Sequence, residues 1–201
     1  MTATRPRRHG KRAFLALLAS ASIAVGGGAP DLGWRLTMIP SHERPALHEK
    51  IPGSQTALMA VGRHVGYGEL EYATTRGAWR WARDRGSKDG AAWITGAAVD
   101  VRRDKNRVID RVLITGDDPL LPALVLTPAF YEHFEPILGD GFHVIIPDRN
   151  TIALYPRLAG HIPPDEAGSL LEIFRVATYP VSCEVFRATR YGLRADGVLE
   201  E

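Results

Sequence analysis

One cysteine, Cys183, stands in a chain of 201 residues. It can close no internal disulfide, so no covalent staple is expected and the compartment cannot be read from it. Beside an expected strand it reads as a small buried apolar group, not a nucleophile. Phosphate-cradling loops are missing as well. The glycines of VGRHVGYGEL and GDGFH do not join a strand to a helix in the required order, and no Gly-Lys-Ser/Thr occurs, which excludes that kind of nucleotide site. There is no Gly-x-Ser-x-Gly nucleophile elbow. His42, His48, His64, His133, His143 and His161 are scattered, with no pair at helical or strand spacing beside a carboxylate ligand. They read as structural histidines, and neither a metal nor a cofactor is expected. No apolar run reaches the roughly 20 residues of a membrane span, so a stable span is not expected either.

What is present fits a soluble globular chain: 45% hydrophobic and 24% charged residues, enough apolar surface for a core and against overall disorder. The net charge of +2 is misleading. Arg5, Arg7, Arg8, Lys11 and Arg12 crowd the start, and without them the rest is slightly acidic. That removes the general electrostatic case for a nucleic-acid partner. A basic start, an apolar run from Ala13 to Val25 and small residues after it follow the order of a secretory signal peptide. Lys11-Arg12 is similar to a twin-arginine signal with Lys in the first place. Residues 1–29 are therefore read as a leader, Tat-like or Sec, giving a periplasmic or secreted protein. The competing reading starts the chain at Met38 and makes it cytoplasmic.

Residues 30–55 hold Pro40, Pro45 and Pro52 among scattered charges. They are read as an extended arm, because proline lacks a backbone donor and restricts its predecessor. Residues 56–201 form the expected domain. A strand is placed within Gly66–Tyr72, a helix from Thr74 or Thr75 ending at Gly86, and a hairpin on either side of Asp104-Lys105-Asn106. Thr127 caps a helix with Pro128 at its first position and a Phe130, Phe134, Ile137, Leu138 stripe. Two apolar runs follow around Pro147-Asp148-Arg149-Asn150, then a helix at Pro164–Val176 with Leu170, Leu171, Phe174 and Ala177 inward. A last strand runs from about Glu184 to Tyr191. This order predicts a single α+β domain, a mainly antiparallel sheet with helices packed on one face.

Two stretches offer binding chemistry. In RGAWRWARDRG, four arginines interleave with Trp79 and Trp81, as in single-strand nucleic-acid binders. Two tryptophans two positions apart point to different helix faces, however, so one belongs to the core and the arginines to a solvated face. The other stretch is Asp148, Arg149 and Asn150, the candidate binding residues. Asp and Asn can bond to their own backbone and turn the chain, and an adjacent Arg holds Asp148 ionised, suited to a salt link more than to acid catalysis. No catalytic residue can be assigned.

The segment LLPALVLTPAFYEHFEPILGDGFHVIIPDRNTIALYPR resembles part of the YtpQ-type family of bacterial proteins of unknown function. Phe130-Tyr131, Gly139-Asp140 and Pro147-Asp148-Arg149 carry the likeness, over roughly residues 120–195. Asn150 stands where that pattern has a second acid. The resemblance implies a shared fold unit and no reaction. The expected function is thus a non-enzymatic binding or accessory domain with a protein or small-molecule partner. The alternative is a hydrolase-like enzyme using Asp148 and Arg149 with a distant histidine, His143 or His161. A nucleic-acid module through the Arg/Trp segment comes third.

Overall fold

A computed structural model of the chain describes residues 33–159 and 162–199. The leader read at 1–29 lies outside the described residues, as does His161. Asp31–Glu201 forms one compact unit. Its α+β class and its antiparallel pairing are those the sequence pattern predicted.

Two sheets make up the frame. In the smaller, β3 (Ala57–Gly66) is central; β1 (Arg35–Pro40) pairs along one side, and β2 (Glu49–Lys50) and β4 (Glu69–Tyr72) share the other. The larger sheet is built of three hairpins: β5 (Ala98–Arg103) with β6 (Ile109–Thr115), β7 (His143–Asp148) with β8 (Thr151–Tyr155), and β9 (Glu184–Thr189) with β10 (Gly192–Val198). Their order is β10-β9-β7-β8-β6-β5, antiparallel throughout.

The expected arm is a correction. Residues 30–55 contain β1, whose Met38 and Ile39 are 1% and 0% exposed, and the short β2. The prolines bracket strands here instead of interrupting them: Pro40 is the last residue of β1, a position a sheet tolerates. Polar residues also hid the strand. Arg35 is buried because its Nη1 donates to Asp118 Oδ2 at 2.7 Å and its guanidinium lies 4.3 Å over the Trp93 ring. The domain therefore begins well before residue 56.

Helix α1 (Arg76–Gly96) runs past Gly86, where a stop was expected. It packs Trp79 and Ala82 on Val61 of β3. Gly90 lets it approach the start of α2 (Pro128–Leu138), since a Cβ there would lie 2.9 Å from Thr127 Cβ. Thr127 caps α2 as predicted, its Oγ1 accepting from Phe130 N at 3.3 Å. Phe130, Phe134 and Leu138 are buried, while Ile137 is 40% exposed. Before α2 a 3-10 helix, Leu121–Leu126, sinks almost entirely into the core; no element was read there. The last strand is two: the chain turns after Thr189 and returns as β10.

β7 and β8 are apolar on both faces, and each face has its own cover. Val144, Ile146, Ile152 and Leu154 meet α2, the 3-10 helix and the small sheet in the main core. Ile145, Ala153 and Tyr155 meet Leu170 and Leu171 of α3 (Pro164–Val176) on the other side. The helices thus sandwich the large sheet, a fuller arrangement than one covered face. Ile173 packs against this second core, and Phe174 is half-buried.

Candidate functional site

The polar break between β7 and β8 is a hairpin turn, with Asp148 opposite Thr151. Asp148 Oδ1 accepts from Asn150 N at 3.1 Å, and Asn150 Nδ2 donates to Gly116 O at 2.7 Å. Asp148 thus braces the turn, and Asn150 anchors it to the end of β6. Arg149 points inward and is 5% exposed. Its Nη1 donates to Gly68 O at 3.1 Å, and its Nη2 to Glu43 Oε1 at 2.9 Å and to the Tyr72 hydroxyl at 3.3 Å. The guanidinium also lies 4.6 Å over the Tyr179 ring. The Tyr72 hydroxyl donates to the other oxygen of Glu43. Burial first, then that carboxylate, pushes the Tyr72 hydroxyl well above its ordinary pKa against the opposing pull of Arg149. The three candidate residues are therefore adjacent but differ in role: Arg149 ties the two sheets together, while Asp148 and Asn150 shape the turn within the large sheet.

Among the described residues, no histidine hydrogen-bonds to them. β7 is six residues long, with His143 first and Asp148 last, which separates them by roughly 16 Å at the rise of a strand. His143 is half-buried, and burial lowers its pKa, with Asp196 opposing and Arg157 and Arg187 adding to the depression. No group of three metal-ligating side chains occurs among the described residues.

Two buried carboxylates had no sequence signal. Glu184 on β9 accepts from Ser54 Oγ at 2.5 Å, Gln55 N at 2.7 Å and Thr56 N at 3.4 Å. Glu166 on α3 accepts from the Tyr155 hydroxyl at 2.6 Å and pairs with Arg102 and Arg111. Both are satisfied internally, as buried charge requires. In the Arg/Trp segment, Trp79 is 8% exposed and belongs to the core, while Trp81 is 45% exposed under Arg85. Arg85 pairs with Asp89 and Arg83 with Glu49, the solvated face expected of them.

A concave feature lies elsewhere. A cavity of about 750 Å³ lies between α1, α2, the small sheet and the β9–β10 turn. Leu36, Met59, Trp93, Leu126, Phe130 and Leu193 give it an apolar interior. Its rim carries Arg83 and Ser87 from α1, Glu132 and Glu135 from α2, and Arg190 and Tyr191 from the turn. At one end α1 meets the start of α2 at Gly90 and Thr127, and the β9–β10 turn forms a third wall. These residues come from positions 36 to 193 and no local motif joins them, so sequence reading had no means to find the cavity. No family model, curated protein or solved structure matches the chain.

Proposed function

We propose that the domain is a non-enzymatic binding module, and that a small molecule with a largely apolar body occupies the cavity between α1, α2 and the β9–β10 turn. The observation that carries this reading is the cavity itself, whose volume of about 750 Å³ falls within the roughly 300–1,000 Å³ usual for small-molecule sites. An apolar interior ringed by a few charged and hydroxyl groups is the composition of such sites. The rim has two bases facing two acids, so it favours a neutral or zwitterionic polar end over a strongly charged one. The YtpQ-type resemblance supports a shared fold unit and assigns no reaction.

Titration with an environment-sensitive apolar fluorophore, followed by displacement with a panel of uncharged amphiphiles, tests the reading. One saturable site is expected, together with at least a tenfold loss of affinity in Leu193→Trp, which fills the cavity from a half-buried wall. Wild-type affinity in that variant, or no saturable binding, overturns the proposal. The hydrolase reading requires turnover that Asp148→Ala abolishes; the distance from Asp148 to His143 weighs against it. Export remains our reading of the leader. Met38, the competing start, lies in mid-strand, and a chain beginning there would lose Arg35 and its contacts.

A further inference from the structure

On the far side of the large sheet from the cavity, near its β10 edge, the exposed row is cationic. Arg194 on β10 stands directly opposite Arg187 on β9, and Arg187 stands opposite His143 on β7. Directly opposed residues hold their Cβ atoms roughly 4.5–5.5 Å apart, a spacing at which like charges repel. Arg157, just beyond β8, turns back toward the same place. A Cβ on Gly141 would lie 3.5 Å from the Cδ atoms of both Arg157 and Arg187. The two side chains thus converge over a glycine at φ +71°, a backbone conformation in which any side chain would be strained.

Among the described residues one acid answers this charge: Asp196 Oδ1, 3.2 Å from Arg187 Nη2. Among the described residues, Arg157 and Arg194 have no ion-pair partner. Among the described residues, three guanidiniums and a half-buried imidazole thus stand beside one carboxylate, which pairs with Arg187. Beside them a second cavity of about 320 Å³ is lined by His143, Asp196, Ile162, Val185 and Leu199.

The geometry points to a second ligand site here, for a small phosphate monoester. Arg157 and Arg187 would take the phosphoryl oxygens, and the organic remainder would rest on Val185, Ile162 and Leu199. Guanidinium forks arriving from two sides match a tetrahedral dianion, whereas a carboxylate offers one charge and two coplanar oxygens. Asp196 keeps Arg187 aimed across the row. The site is independent of the apolar cavity, which opens on the opposite face of the sheet.

The test uses the full chain, titrated at constant ionic strength with inorganic phosphate and with phenyl phosphate, and followed by amide and imidazole NMR shifts. Saturable shifts at Gly141 and His143 are expected, with phenyl phosphate binding more tightly. Arg157→Gln, which breaks no ion pair, should weaken binding about tenfold or more. Arg63→Gln, on the other sheet, should leave it unchanged. Shifts that grow linearly and are reproduced by chloride, or wild-type affinity in Arg157→Gln, overturn the site. Phenyl phosphate binding no tighter than inorganic phosphate overturns the role given to the small pocket.

Discussion

The guanidinium of Arg149 sits where two sheets meet, with Glu43 and Tyr72 on one side and the Tyr179 ring on the other. Removing one member of a buried ion pair strands its partner, which costs more than the pair itself contributes. Arg149→Met should therefore lower unfolding free energy by about 3 kcal/mol, read from a denaturant midpoint. Arg149→Lys should recover only part of this, because an ammonium cannot reproduce the fork that reaches Gly68, Glu43 and Tyr72 together. The sequence marked Asp148, Arg149 and Asn150 as a polar turn, and a turn they are. What it could not convey is the direction of the Arg149 side chain. That direction is set by partners far away along the chain, which local spacing does not register.

Among the elements, α1 holds the plainest lesson about glycine. A glycine after a run of helix-compatible residues reads as a stop, and the sequence pattern places one at Gly86. In α1 the helix continues through both Gly86 and Gly90, since burial against its neighbours offsets their low propensity. The two positions differ in what a methyl group would meet. At Gly90 it would lie 2.9 Å from Thr127 Cβ, while at Gly86 its nearest neighbour is Thr127 Cγ2 at 3.5 Å. Gly90→Ala should cost roughly 1–3 kcal/mol through overpacking at the α2 cap. Gly86→Ala should gain up to about 1 kcal/mol from helix propensity. Thermal denaturation of the pair should move in opposite directions. The β5–β6 and β7–β8 hairpins and α2 were legible because their turn residues and caps sit beside the segments they organise. β1 was not, because the partners that make Arg35 acceptable inside the fold lie on other elements.

For the molecule as a whole, alternation and capping carried the α+β class, while the cavity and the joining of the sheets depend on contacts between distant segments. Glu184 makes one such joint. It belongs to β9 in the large sheet, yet the groups that donate to it, Ser54, Gln55 and Thr56, lead directly into β3 of the small one. Fraying the small sheet would strip three donors from that carboxylate and leave it only the longer bond from Ser182 Oγ at 3.4 Å, so the two sheets have no inexpensive way to melt separately. The domain should accordingly unfold in a single calorimetric transition, with the Gln55 amide exchanging its hydrogen only as slowly as the most protected amides of β7. Faster exchange at Gln55, or a resolved first transition, would mean that the two sheets are separate cooperative units.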